Sequence, residues 1–205
     1  LVFPNGVDDD VVDGIEKTST PAGERELDFV WAGRMSAEKR ITEFLGAFHQ
    51  ANLPNAHLHI YGSGQLEARV RLLLVQLGLT KSATFHGRLP HRDLVSRFAS
   101  ADLVAQSSVG FETQGMTVYE AIAVGTPVLV ADPKIASELP SEHVWLSKTP
   151  SIDDMARTLT RAAKDIRSGN SKRAIDTGEW SVLQSQITAK MIHIYEKAIK
   201  EGPKA

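Results

Sequence analysis

The 205-residue sequence contains no cysteine, which excludes disulfide bonds and thiolate metal sites and fits a reducing, cytoplasmic setting. It also lacks any apolar run near the ~20 residues that a membrane-spanning helix needs, and no signal peptide is recognisable. An excess of charge of either sign is missing too, because the formal net charge is -2. The composition therefore gives no electrostatic reason to expect a nucleic acid or an anionic membrane as partner.

Short apolar segments alternate with helical patterns along most of the chain. Strands are predicted at residues 28–33, 57–62, 83–87, 103–106, 127–132 and 143–146. Apolar residues at helical spacing follow from Ile41, Leu66, Leu94, Val118, Met155 and Ile187. The alternation predicts an α/β fold, with a doubly wound, mainly parallel sheet and helices on both faces. Such sheets bind ligands at the carboxyl ends of their strands.

The loop after the first strand carries two cations, Arg34 and Lys39, just past Gly33. Cations beside the start of a helix suit an anionic ligand, because free N–H groups and the helix dipole add to their charge. Arg34 can pair with a phosphate through two hydrogen bonds, and Lys39 can add a point charge. The alternative is a pair of solvated surface charges.

Two further loops contain glycines. Gly62 and Gly64 begin a pattern like G-x-G-x-x-G, but Glu67 stands at the third glycine position, so the dinucleotide fingerprint fails. The two glycines permit a close ligand or a tight turn. Gly87 and Arg88 open the next loop, where backbone groups would approach a flat base or simply form a turn.

The loop after the fourth strand is the richest in chemistry. Glu112 lies in the loop and Glu120 in the helix that follows, with seven residues between them. Gly115, Met116 and Thr117 are predicted at the helix start, where free N–H groups suit a phosphate or a sugar oxygen. Carboxylates accept hydrogen bonds from paired hydroxyls. The apolar helix face predicts burial near Glu120, which favours a functional carboxylate over a surface charge.

Two other groups of side chains raise the question of a metal. Asp8, Asp9 and Asp10 include the Asp-x-Asp pattern of a divalent-cation site, but they are interpreted as a solvated turn or a helix cap. His57 and His59 are expected on one face of a strand, where sheet packing is favoured over zinc binding. No metal site is predicted.

These features together resemble the C-terminal, donor-binding domain of GT-B-fold glycosyltransferases, family 4 (glycosyl transferases group 1). The resemblance runs from residue 2 to about residue 132, and the closing helix near Trp180 and Tyr195 is similar as well. Its segments are FPNGVD (3–8), AGR (32–34) with Lys39, YGSG (61–64), FHG (85–87), ETQGMTVYEA (112–121) and GTPV (125–128). Two departures are Thr113-Gln114-Gly115 for the usual Pro-Phe-Gly, which is expected to alter sugar choice, and Ser107-Ser108 for Pro-Ser.

The resemblance implies a role for each matching position. Arg34 and Lys39 bind the donor diphosphate and, with Glu112, form the catalytic set. Glu112 holds hydroxyls of the transferred sugar, and Glu120 holds the ribose. The remaining donor-binding positions are near the sugar and β-phosphate (Gly115, Met116, Thr117), near the base (Gly87, Arg88) and in the first two loops (Gly33, Gly62, Gly64).

The resemblance also implies a retaining transferase that needs no metal or other cofactor and uses a UDP- or GDP-sugar donor. Residues 1–26 are expected to form a lead-in segment after an interdomain linker, and residues 27–205 a nucleotide-sugar-binding Rossmann-like domain. The N-terminal acceptor domain is expected to be absent, which leaves the isolated domain inactive and the acceptor open. The expected location is the cytoplasm, with membrane contact at the inner face only through the missing half.

Three other functions were weighed against this one. A sugar-nucleotide 2-epimerase of the same fold would bind a similar donor. A non-catalytic domain that binds a nucleotide or a partner would need damaged donor loops, yet both cations and both glutamates are present. A nicotinamide-dependent dehydrogenase is disfavoured by Glu67.

Overall fold

The computed structural model describes residues 5–16, 25–110, 112, 114–170 and 182–201. The strands are β1 (Leu27–Ala32), β2 (Ala56–Tyr61), β3 (Ala83–Gly87), β4 (Leu103–Gln106), β5 (Val128–Val130) and β6 (Val144–Leu146). The α-helices are α1 (Asp9–Val12), α2 (Ile41–Ala51), α3 (Glu67–Gln76), α4 (His91–Ser100), α5 (Met116–Ala123), α6 (Pro133–Ser137), α7 (Ile152–Arg167) and α8 (Gln184–Glu201). None of the helices in these ranges is long and apolar enough to cross a membrane.

The six strands form one sheet in the order β3-β2-β1-β4-β5-β6, and every pairing is parallel. The order reverses at β1, which pairs with β2 on one side and β4 on the other. The α/β prediction of a parallel, doubly wound sheet is confirmed. The reversal leaves a crevice beyond the carboxyl ends of β1 and β4, where sheets of this class bind ligands.

Helices lie on both faces of the sheet, which explains the nearly unbroken apolar runs of the central strands β1, β4 and β5. Phe29 and Trp31 of β1 belong to a core cluster shared with α2, α3 and α7. Val30 and Ala32 alternate with them and join the second cluster, which α4, α5 and α6 complete. Alternate side chains of β1 are thus buried in two cores on opposite faces of the sheet. Because the strand is held from both faces, the position of the loop that follows it is fixed.

The predicted elements agree with the observed ones apart from details at their ends. The helix after β1 begins only at Ile41, because residues 37–39 form a 3-10 turn and Arg40 takes the left-handed conformation (φ 53°). Pro90 precedes α4 as its N-cap and does not lie inside its first turn. Phe3, Pro4, residues 17–24 of the expected lead-in segment and Trp180 lie outside the described residues.

Candidate functional site

The loops that follow β1 and β2 lie directly against each other. The Gly33 N–H donates to the Tyr61 carbonyl at 3.1 Å. Gly62 has a φ of +126°, and a Cβ atom there would stand 1.9 Å from the Gly33 carbonyl oxygen. At Gly64 a Cβ atom would stand 2.6 Å from the Met35 carbonyl oxygen. The close approach that these glycines allow is therefore to the neighbouring loop, and their contact with a ligand stays a prediction.

A cavity of about 470 Å³ opens between these loops and the one after β3. Its lining residues are Gly33, Arg34, Tyr61, Gly62, Ser63, Gly64, Arg88, Leu89 and Leu94. The Arg34 side chain is 74% exposed, and its Nε lies 3.9 Å from a carboxylate oxygen of Glu38. Arg34 also lines a second cavity of about 580 Å³, together with Lys39 and Glu112. It therefore stands between the two cavities with its charge accessible to both.

Lys39 and Glu112 form an ion pair that joins the loops after β1 and β4. The Ser108 hydroxyl donates to the same Glu112 oxygen at 3.0 Å, and Gln106 Nε2 donates to Ser108 at 2.6 Å. Because a carboxylate only accepts hydrogen bonds, the Ser108 hydroxyl donates its single proton to Glu112 and must accept from Gln106. This chain of bonds fixes the orientation of the carboxylate.

Ser107 anchors Lys39 from the other side. Its hydroxyl donates to the Lys39 carbonyl at 2.7 Å and accepts from the Trp31 indole N–H at 3.0 Å. Proline, which the family usually has at this position, offers neither a donor nor an acceptor in its side chain. The serine pair is thus a departure from the family pattern that holds both members of the Lys39–Glu112 ion pair in place.

The start of α5 lies next to this ion pair. Gly115 is the N-cap residue, with a φ of +73°, and no side chain caps the first turn. Gly115, Met116 and Thr117 line a cavity of about 180 Å³ that Lys39 and Glu112 also line. Uncapped N–H groups and the positive end of the helix dipole suit an anion at this place. The predicted position of these residues at the helix start is confirmed.

Glu120 is buried, with its side chain 11% exposed, and His91 is its partner. The imidazole Nε2 donates to Glu120 Oε1 at 2.8 Å from the first residue of α4. The predicted burial of Glu120 is confirmed, whereas His91 was not among the predicted site residues. The sequence signal that could have identified His91 is its position directly after the Gly87–Pro90 loop, where the nucleotide base is expected to bind. Glu120 is 29 residues away in sequence.

One acidic side chain lies among the cations. Glu38 lines the 580 Å³ cavity with Arg34 and Lys39. The Ser36 hydroxyl donates to Glu38 and holds the pKa of that carboxyl below its usual value, and the charges of Arg34 and Lys39 act in the same direction. Glu38 is therefore ionised at neutral pH. On this loop an anionic ligand would meet the three cations Arg34, Lys39 and Arg40 beside the negative charge of Glu38, although Arg40 already pairs with Glu43 at 3.3 Å.

The two groups considered as metal ligands are engaged in other contacts. Asp8 caps α1 by accepting from the Asp10 N–H at 3.0 Å, as the helix-cap interpretation expected. His59 stacks on His86 with ring centroids 5.1 Å apart, and His57 Nε2 contacts the Thr84 hydroxyl at 2.7 Å. Among the described residues, no group of three or more His, Asp or Glu is arranged to hold a metal ion.

The structure brings most of the predicted site residues together at one edge of the sheet. Arg34, Lys39, Glu112 and the start of α5 line cavities that share lining residues, and Arg88 lines the 470 Å³ cavity. The Gly87 carbonyl accepts from the Gly62 N–H at 2.8 Å, which holds the third loop against the second. Phe111 and Thr113, which flank Glu112, lie outside the described residues.

A family model described as "Glycosyl transferases group 1" matches residues 13–178 of the chain. Among curated proteins, a D-inositol 3-phosphate glycosyltransferase of Mycobacterium tuberculosis is 29% identical over 196 residues, which cover 88% of this chain and 39% of that protein. A GDP-mannose-dependent monoacylated alpha-(1-6)-phosphatidylinositol monomannoside mannosyltransferase of Corynebacterium glutamicum is 30% identical over 139 residues, 62% of this chain and 36% of that protein. The chain thus spans less than half the length of these relatives.

Solved structures show the same fold. A sucrose-phosphate synthase of Thermosynechococcus elongatus has a TM-score of 0.73 at 20% identity, over 98% of this chain and 53% of that one. HepE of Anabaena, solved with UDP and glucose, has a TM-score of 0.70 at 16% identity, over 97% of this chain and 57% of that one. At such identities the likeness concerns the fold, and it confirms the predicted Rossmann-like half of a GT-B architecture.

Proposed function

This chain belongs to the glycosyl transferases group 1 family, and from that premise we propose that it is the donor-binding part of a retaining glycosyltransferase. It holds a nucleoside-diphosphate sugar while the sugar passes to an acceptor bound elsewhere. The observation that carries the proposal is the convergence of Arg34, Lys39, Glu112 and the start of α5 on adjoining cavities. No single loop supplies such a site, and each group has the charge that the donor requires.

The diphosphate lies between Arg34, Lys39 and the first N–H groups of α5. In the reaction the bond between the anomeric carbon and the β-phosphate oxygen breaks, and negative charge grows on that oxygen. Two cations and a helix start that are already in place stabilise this charge without reorganisation. Removal of one such donor is expected to lower turnover on the order of 10²-fold. The cations take over the role that a divalent metal has in other transferases, so we propose no metal requirement.

The transferred sugar lies beside Glu112, in the cavity of about 180 Å³. The carboxylate is only 16% exposed and is held by Lys39 and Ser108. It has two oxygens, and the one that Lys39 and Ser108 contact is Oε1. Oε2 is therefore the acceptor that we assign to the sugar hydroxyls.

The nucleoside extends from the diphosphate toward α4. The base lies near Gly87 and Arg88, and the ribose hydroxyls bind Glu120. The buried carboxylate is paired with an imidazole that is 54% exposed, so His91 marks the side from which Glu120 is reached. Relatives and structural neighbours include a GDP-mannose-dependent enzyme and a protein solved with UDP. We propose UDP or GDP as the nucleotide on that ground.

The acceptor-binding half is proposed to be a separate domain of the same protein, because the relatives are more than twice as long as the matched region. Helix α8 supports a partner of this kind. Its side chains Ile192, Tyr195 and Ile199 are 53%, 58% and 81% exposed, so the part of the chain that the structure describes leaves an apolar stripe of this helix uncovered. The proposed division keeps residues 1–26 as the lead-in segment and residues 27–205 as the donor domain, and a cytoplasmic location is proposed with it.

Calorimetric titration of the chain with UDP, GDP, ADP and NAD, each with and without magnesium, tests the proposal. Saturable binding of UDP or GDP without magnesium is the expected result, together with no sugar transfer by the isolated chain. The variant Lys39→Met supplies a control, because it keeps the length of the side chain and removes the charge. Preferential binding of NAD, binding that depends on magnesium, or equal affinity in the Lys39→Met variant would contradict the proposal.

A further inference from the structure

Gln114 makes two hydrogen bonds to a single residue that is 109 positions away. The Asn5 N–H donates to Gln114 Oε1 at 2.6 Å, and Gln114 Nε2 donates to the Asn5 carbonyl at 2.7 Å. The glutamine is buried, with 6% of its surface exposed. Its amide thus pairs with the backbone of Asn5 as a strand would, and both ends of the side chain are used within the protein.

Residues 5–7 are themselves held against the start of α8. The Val7 N–H donates to the Val182 carbonyl at 2.7 Å, and the Val7 carbonyl accepts from the Gln184 N–H at 2.8 Å. The Gln184 side chain accepts from the Gly6 N–H at 3.1 Å. Gln114 therefore ties the loop after β4 to a small unit that is built from the two terminal parts of the described chain.

The same side chain stands beside the proposed sugar site. Gln114 is two residues from Glu112 and adjoins Gly115, the N-cap of α5. Asn5, Glu112, Gln114 and Gly115 all line the cavity of about 180 Å³. Glu112 is fixed from one side by Lys39 and Ser108. Gln114 fixes the following turn of the same loop, and a phenylalanine at this position offers no amide for such a bond.

We propose that Gln114 is a positioning residue for the transferred sugar. By pairing with Asn5, it holds the loop so that the Glu112 carboxylate and the Gly115 N–H face the sugar. The inference rests on the proposed function. Gln114 adjoins the start of α5, which also faces the β-phosphate, but Arg34, Glu120 and the base-binding loop hold the rest of the nucleotide and make no described bond to Gln114. Loss of the pairing is therefore expected to weaken the nucleotide-sugar more than the free nucleotide.

The test compares Gln114→Leu with Gln184→Leu in the chain as it stands. Both variants remove an amide that bonds to residues 5–7, but only Gln114 belongs to the loop of the sugar site. Affinities are measured by calorimetry for UDP and UDP-glucose and for GDP and GDP-mannose. In Gln114→Leu the nucleotide-sugar is expected to bind about tenfold more weakly, with the free nucleotide changed less than about twofold. Gln184→Leu is expected to leave both affinities within about twofold.

A second variant distinguishes loss of the Gln114–Asn5 pairing from loss of the fold. Gln114→Glu keeps the size of the side chain and the bond from the Asn5 N–H, but it places a second acceptor against the Asn5 carbonyl. It is expected to weaken nucleotide-sugar binding selectively as well, and circular dichroism checks that both variants are folded. Equal losses for nucleotide and nucleotide-sugar, or no loss in either variant, would overturn the positioning role alone. If the unaltered chain bound none of the four ligands, the proposed function would be overturned together with this inference.

Discussion

The substitution Glu120→Gln tests the ribose assignment most directly. The Glu120 side chain is 11% exposed, and its Oε1 accepts from His91 Nε2 at 2.8 Å. Glutamine keeps the size and one acceptor oxygen but removes the charge. The helix α5 around it is packed into the second core cluster, so the change alters the chemistry of one buried group and keeps its volume.

The magnitude follows from the bond that the carboxylate is proposed to make with the ribose hydroxyls. A hydrogen bond to a charged group contributes about 1.5–3 kcal/mol, and a neutral one about 0.5–1.5 kcal/mol. Loss of the charge should therefore weaken nucleoside diphosphate binding by about 1–2 kcal/mol, which is roughly 5- to 30-fold in the dissociation constant. Inorganic pyrophosphate has no ribose, and its affinity is expected to stay the same within about twofold.

The assay is a calorimetric titration of the unaltered chain and the variant with UDP, GDP and pyrophosphate. Glu67→Gln is the matched control, because Glu67 pairs with Arg71 on the exposed side of α3 and the chemical change is identical. Equal weakening of nucleotide and pyrophosphate would refute the reasoning, since it would place Glu120 in the phosphate site or make it a structural residue. An unchanged nucleotide affinity would remove Glu120 from the site.

Three further predictions concern the phosphate loop, the glycines and the histidines. Arg34→Ala should weaken nucleoside diphosphates by about 1.5–3 kcal/mol, as expected for a charge-assisted bond, and unchanged affinity in the same titration would exclude the arginine from the site. Gly62→Ala should force two loops apart, because its Cβ would stand 1.9 Å from the Gly33 carbonyl oxygen. Gly87→Ala meets open space and should cost only about 1–2 kcal/mol for its left-handed φ. Gly62→Ala should therefore have the lower thermal unfolding midpoint, and equal midpoints would contradict the packing argument. Burial and a neighbouring histidine hold the pKa of His86 below its usual value, so protonation favours the unfolded chain, and the free energy of unfolding should fall as the pH drops below about 6.5. In urea unfolding, the difference in this free energy between pH 7.5 and pH 5.5 should be smaller for His86→Gln than for the unaltered chain. An equal difference would disprove the assignment.

The sequence by itself was sufficient for the six strands, for the longer helices and for the class of the fold, whereas the short helices α1 and α6 were not predicted. The central strands β4 and β5 are short and almost entirely apolar because both of their faces are buried, and this property is visible in segments such as residues 103–106. Strands β2 and β3 instead alternate between buried and partly exposed positions. The exact ends of helices were not predictable, because features such as the left-handed Arg40 and the 3-10 turn before it depend on loop packing. The alternating order of strands and helices then placed the site at the carboxyl edge, since right-handed crossovers bring successive loops there.

The residues of the site were predictable only as separate candidates. The resemblance to the glycosyltransferase family assigned a role to Arg34, Lys39, Glu112 and Glu120, but it said nothing of their partners. Those partners come from distant parts of the chain. Lys39 and Glu112 are 73 residues apart, His91 and Glu120 are 29 apart, and Asn5 and Gln114 are 109 apart.

Tertiary structure alone decided these pairings. Periodicity in a sequence reports which face of an element is buried, because burial repeats with the geometry of the helix or strand. A hydrogen bond between two loops leaves no such repeat, since it depends on where each strand ends and on how the loops pack across the sheet. The sequence therefore determined where the proposed donor site lies in the fold, and the packing of the loops determined that Gln114 ties the turn after Glu112 to Asn5.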